Sequence, residues 1–195
     1  MDAHALFGIV AGLVALSAFP VYIHYMIRGN TRPNTATWSI LTLSSLLLSA
    51  SYYSAGARDT FWISLSYPLG CATISLLSLR YGYRKWTGFD RLCLVLALVS
   101  AGLWWIFHSP APTLLINIGI DFLGILPTIN KTYKRPNTES RSAWTLDVVA
   151  SICAILAIEQ WSPLVALYPI YLLVMNCVVV LLIFRKRHSW RVYRT

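Results

Sequence analysis

Residues 126–147 read Leu126-Pro-Thr-Ile-Asn-Lys-Thr-Tyr-Lys-Arg-Pro-Asn-Thr-Glu-Ser-Arg-Ser-Ala-Trp-Thr-Leu-Asp147. An apolar run reaches Pro127, a basic and polar bridge follows, and Ser142 with Trp144 opens the next apolar run. A looser copy lies at Phe19 to Leu41. Pro20 aligns with Pro127, Arg32-Pro33-Asn34-Thr35 with Arg135-Pro136-Asn137-Thr138, and Trp38 with Trp144. Further on, Tyr67-Pro68 aligns with Tyr168-Pro169, so the four matches fall in order at offsets of 101 to 107. Each half closes on a basic cluster: Arg84-Lys85-Trp86, then Arg185-Lys186-Arg187 with Trp190 nearby. Four anchors in register predict a duplicated unit.

The composition says where such a unit lives. The 195 residues are 57% hydrophobic and 12% charged, with a mean hydropathy of +0.61. A soluble domain carries roughly twice that charged share. Seven apolar segments are each long enough to cross a bilayer core, which takes about 20 helical residues. They are Leu6–Ile27, Ala36–Ala55, Phe61–Tyr81, Asp90–Phe107, Pro112–Tyr133, Ser142–Gln160 and Pro163–Phe184. Lipid admits only helices or closed barrels, and runs this long are helices rather than barrel strands. The expected class is therefore an all-α membrane protein of seven transmembrane helices. Cys71, Cys93, Cys153 and Cys177 lie inside apolar runs, without metal-ligand or disulfide spacing, and read as small buried hydrophobes. The N-terminus lacks the basic region of a signal peptide, so the first apolar run is expected to be kept.

The net charge of +9 could suggest nucleic acid, but its distribution points elsewhere. Arg28 and Arg32 follow the first segment. Arg80, Arg84, Lys85 and Arg91 surround the third loop. Lys131, Lys134, Arg135 and Arg141 occupy the fifth, and five more basic residues end the chain. These make 15 of the 16 basic residues, all in alternate loops, with Arg58 alone on the other side. Cytoplasmic loops carry the Lys/Arg excess. The N-terminus is thus expected outside and the C-terminus in the cytoplasm.

A three-helix unit reverses sides, so two parallel copies need one extra crossing between them. The chain divides accordingly: residues 1–86 form the first repeat, 87–110 a linker helix, and 111–195 the second repeat with its basic tail. Leu126-Pro127-Thr128-Ile129, then Lys131, Tyr133-Lys134-Arg135, Glu139-Ser140, Ser142 and Trp144, resemble the PQ-loop motif. That motif belongs to SWEET and SemiSWEET sugar transporters, cystinosin-like amino-acid exporters and, more distantly, KDEL receptors. The motif's glutamine is missing: Val21 follows Pro20, and Thr128 follows Pro127. The resemblance implies hinges at Pro20 and Pro127, since a proline inside a helix removes a backbone hydrogen bond and kinks it. It also implies a substrate site at Asn176, whose partner position in the first repeat is Ser75. Tyr53 lies in the region of the pocket aromatics of sugar carriers, opposite Glu159.

Ionisable residues within a membrane are costly and usually mark function. Asp121 lies mid-segment, and Asn117, Gly124 and Thr128 share its helix face at helical spacing. Asp147 sits a turn into the sixth segment with Ser151 four residues on. Val14 and Leu41 hold the equivalent positions in the first repeat, so the scaffold is symmetric and its polar equipment is not. Either acid can carry a proton. The plainer reading is a buried knot, with Asp147 reaching Lys131, Arg135 or Arg141. Glu159 reads as a rim residue, and the hydroxyls of the second segment as packing or cavity lining. Most of the eight tryptophans fall near the expected interfaces, as an aromatic belt requires, and none is assigned a binding role.

No lysine in the seventh segment could hold retinal. No phosphate-binding loop, metal-ligand cluster or Ser-His-Asp set appears, so no enzyme, cofactor or metal is expected. The expected function is alternating-access transport of a small polar solute such as a sugar, amino acid or vitamin. Asn176, Asn117, Asp121, Ser75 and Tyr53 would bind it, and Asp121 or Asp147 would couple it to protons. The alternative is a seven-helix receptor of the KDEL-receptor type that binds without translocating. The partners expected are the solute and the lipid bilayer, with room for a homo-oligomer. The one Asn-x-Thr sequon, at Asn130, falls on the cytoplasmic side, which fits a bacterial inner membrane.

Overall fold

Seven α-helices make up most of the described chain: α1 (Ala3–Ile27), α2 (Thr35–Ser54), α3 (Phe61–Tyr81), α4 (Gly88–Ile106), α5 (Pro110–Lys134), α6 (Arg141–Leu156) and α7 (Pro163–Phe184). A 3₁₀ turn at Pro136–Thr138 precedes α6. The computed structural model describes residues 3–54, 61–83, 86–106, 110–159 and 161–185; within these, the side chains of 51–54, 61–66, 104, 110, 111, 113 and 164 fall outside the description. Arg58, Arg84, Lys85 and the tail beyond Arg185 are likewise outside the described residues.

The helix starts are written in local side-chain chemistry. Asn34 Oδ1 accepts from the amides of Ala36 (2.9 Å) and Thr37 (3.4 Å) and so caps α2. Thr87 and Asp90 form a reciprocal box at α4: Asp90 N donates to Thr87 Oγ1 at 3.1 Å and Thr87 N to Asp90 Oδ2 at 2.8 Å. Asp90 also accepts from Asn34 Nδ2 at 3.3 Å, which ties the starts of α2 and α4 together. Ser140 caps α6, and Ser162 with Pro163 opens α7. α6 is shorter than the sequence suggests, ending at Leu156 rather than near Gln160. Ala157 N bonds Cys153 O and Ile158 N bonds Ile155 O, closing the last turn, and His4 Nδ1 donates to the Leu156 carbonyl at 3.1 Å. That bond also explains why α1 begins at Ala3, earlier than the apolar run at Leu6.

The packing order differs from the chain order. α3 lies between α1 and α2, and α7 between α5 and α6. α1 packs along α6, and α2 along α5. α4 rests on α5 and α2. The basic loops meet at one end of the bundle. There Arg32 N donates to Thr138 O at 2.8 Å, Asn34 bridges to Tyr83, and the Arg135 guanidinium lies over the Tyr83 ring. Arg185 reaches the same end, donating to Tyr133 O at 2.8 Å. We call this the clasp end.

Among the described residues, three helices, Ala3–Ile27, Leu114–Lys134 and Val165–Phe184, are long and apolar enough to cross a membrane, and Thr35–Ala50 is a shorter apolar helix. The side chains are distributed to match. Leu13, Leu76, Trp105 and Leu181 stand largely exposed on the outside. Thr37, Thr128, Ser44, Ser45, Ser49 and Ser78 are buried inside. A bundle with leucines outside and hydroxyls inside suits lipid, where helices associate through small residues and interhelical hydrogen bonds.

The α2–α5 seam shows how tight this packing is. Thr128 Oγ1 donates to Thr37 Oγ1 at 2.9 Å. Four residues back on α5, a Cβ built on Gly124 would lie 2.9 Å from Ile40 Cγ2 and 3.3 Å from Leu41 Cδ2. Gly124→Ala should therefore cost about 1–3 kcal/mol through overpacking, read as a lower unfolding midpoint in detergent. An unchanged midpoint would mean that the seam yields freely.

Candidate functional site

A cavity of about 640 Å³ lies within the bundle, lined from α1, α2, α3, α5, α6 and α7. No described residue of α4 lines it. On α2 its wall runs from Trp38 to Ser49, about 16 Å at 1.5 Å per residue. Its far end reaches Ala154, close to where α6 stops. Its clasp end is formed by Trp38 and Trp144, each in the first turn of its helix. On one side small residues, Ala11, Gly12 and Ala15 of α1 with Ala150 and Ala154 of α6, keep the backbones close.

Two carboxylates and one amide face this space. Asp121 comes from α5, Asp147 from α6 and Asn176 from α7. Asn176 Nδ2 donates to Ser151 Oγ at 3.1 Å and to the Asp147 carbonyl at 3.4 Å, and Ser151 Oγ donates to that same carbonyl at 2.7 Å. The Ser44 hydroxyl of α2 lies against Asp121. Five aromatic side chains complete the polar wall: Trp38, Trp144, Tyr67, Tyr168 and Tyr171. Tyr168 and Tyr171 stack with centroids 6.2 Å apart, and Tyr67 meets Phe19 edge-on at 5.1 Å.

Beneath the two tryptophans lies a buried ion pair. Glu139 and Lys131 are joined, with side chains 0% and 4% exposed. Glu139 Oε2 accepts from Tyr22 OH at 2.7 Å and from Trp144 Nε1 at 3.0 Å. Lys131 Nζ also donates to the Arg32 carbonyl. Tyr22 packs in turn on Trp38, with ring centroids 4.9 Å apart. The network thus joins α1 and the first basic loop to α5, the second basic loop and α6. Its members satisfy one another, as buried charges require.

The residues singled out in the sequence divide. Asp121, Asp147 and Asn176 come together in the cavity. Ser75 does not line it; its hydroxyl is 2.9 Å from Ser39 Oγ across α2 and α3. Asn117 does not line it either: it is buried, and its Oδ1 has no hydrogen-bond partner. The polar stripe of α5 faces α2 for most of its length, with Thr128 on Thr37, Gly124 on Leu41 and Asp121 on Ser44. The side chain of Tyr53 is outside the described residues. Pro20 and Pro127 both sit inside their helices, Pro20 exposed and Pro127 buried. Glu159 is exposed.

Two expectations need correction. Asp147 makes no ion pair among the described residues, because Glu139 takes Lys131. Trp38 and Trp144, given no binding role above, are buried and line the cavity. The signal for the tryptophans was present in the repeat, which matches them to each other. Tyr67 and Tyr168 were matched in the same way. Glu139 had no such signal, since Ala36 holds the aligned position. Compared with protein-family models, curated proteins and solved structures, the chain matches none.

Proposed function

We propose that this chain is a seven-span membrane carrier that moves a small polar solute by alternating access. The observation that carries the reading is the cavity, walled by described residues of every helix except α4 and stopped at one end by an ion pair whose hydrogen bonds to Tyr22 and the Arg32 carbonyl tie the two halves together. The helix neighbours support the duplicated plan. Exchanging α1 with α5, α2 with α6 and α3 with α7 maps each packing partnership among these six onto another. α4 stands outside that exchange, as a linker between parallel repeats would. In carriers built from internal repeats, the substrate site lies between the repeats near the bilayer midplane.

By the charge rule the clasp end is cytoplasmic. The Lys131–Glu139 pair and the two tryptophans then close the cytoplasmic side, while the cavity extends toward the outside. Pro20 and Pro127 lie next to this closure, where a kinked helix could pivot. Asp121 and Asp147 are the groups available for proton coupling.

The test is uptake by proteoliposomes of a pool of labelled sugars, amino acids and amines, with and without a pH gradient. Time-dependent accumulation of at least one solute is expected. Saturable binding without accumulation would overturn the carrier and make the protein a receptor.

A further inference from the structure

Resting on the reading of this cavity as a solute site, we infer that the solute is a small organic cation, held between two carboxylates and aromatic faces. The cavity is chemically one-sided. Asp121 and Asp147 both face it, while no lysine, arginine or histidine is among its described lining residues. The ion pair beside it offers no spare charge, because Glu139 already neutralises Lys131 behind the Trp144 ring. A carboxylate facing such a space is stabilised best by a mobile cation. An anionic solute would meet like charge on two sides.

The aromatic walls make the same choice independently. Trp38, Trp144, Tyr67, Tyr168 and Tyr171 present ring faces or edges around the volume. Aromatic faces attract ammonium and guanidinium groups, tryptophan most strongly, and more so when water is excluded. The Asn176 amide, the group that would bind a neutral polyol, already donates to Ser151 and the Asp147 carbonyl. A volume of 640 Å³ holds an amine of amino-acid size with room to spare.

The experiment uses purified full-length protein. Tetramethylammonium, choline and agmatine are titrated against glucose, glycerol and gluconate, with thermal shift and equilibrium binding as readouts. At least one cation should raise the midpoint and bind saturably, while glucose, glycerol and gluconate do not. Tyr171→Leu should weaken that cation about fivefold through lost cation–π attraction. Asp121→Asn and Asp147→Asn should each weaken it by about 30-fold or more. The wild-type panel decides the matter even where a variant fails to fold. Glucose binding and flux without cation binding would overturn this inference and leave the carrier standing. Cation binding without flux would leave the inference and overturn the carrier. Failure of all three cations to bind overturns the inference.

Discussion

Glu139→Ala lowers the thermal unfolding midpoint by about 10 °C, because breaking a buried pair from one side costs about 3–5 kcal/mol. The reason is what the alanine leaves behind. Lys131 stays 4% exposed with only the Arg32 carbonyl to face, and both Tyr22 OH and Trp144 Nε1 lose their acceptor. The double variant Lys131→Met with Glu139→Leu removes both charges and should recover more than half of that loss, since apolar replacement of a whole buried pair is often neutral. Differential scanning fluorimetry in detergent reads both. A single variant as stable as the parent would show that the pair is dispensable. The same comparison bears on mechanism: if the pair closes the cytoplasmic side, the stable double variant should leak solute that the parent retains.

Asp121→Asn should abolish the response to a proton gradient, even at solute concentrations raised to offset its weaker binding. Asparagine keeps the shape of the side chain and its contact with Ser44, but it cannot exchange a proton. One pH unit supplies about 1.4 kcal/mol per proton, enough for tenfold accumulation at one-to-one coupling. The parent should therefore accumulate solute up to about tenfold when such a gradient is imposed in one of its two directions. The variant should stay at the gradient-free level in both. Asp147→Asn is the companion measurement. Loss of coupling in one variant alone identifies the acid that carries the proton, and full coupling in both would remove these residues from that role.

Much of the fold could be read from the sequence because lipid leaves few options. Apolar runs of helical length must be helices, and Pro163 with Ser162 marks the start of α7 to the residue. The end of α6 was not marked in the sequence, and its Leu156 carbonyl, without a partner in its own helix, meets His4, 152 residues away. The site was half legible for a related reason. Trp38 with Trp144 and Tyr67 with Tyr168 were matched by the sequence alignment, and all four line the cavity. Asp121 and Asp147 stood out because charge within an apolar run is costly, and Asn176 through the resemblance to the SWEET transporters. Glu139 lies in a polar loop and entered only as part of the PQ-loop resemblance, with no role of its own. Only folding shows that its side chain is buried and that Tyr22, 117 residues away, closes on it. Ser75 was selected by alignment alone, and a hydroxyl that short finds its partner on the neighbouring helix instead.

The position of α4 gives the bundle an unequal pair of edges. Along one edge α4 lies against both α2 and α5, and Asn34 bonded to Asp90 pins it there. Along the opposite edge α1 and α6 meet through glycine and alanine with no third helix across them. In the proposed carrier, relative motion of the two halves would be like that of a book bound along one margin. The α2–α5 margin would be the spine and the α1–α6 margin the opening pages. Spin labels placed in pairs across the second margin would travel farther than pairs across the first.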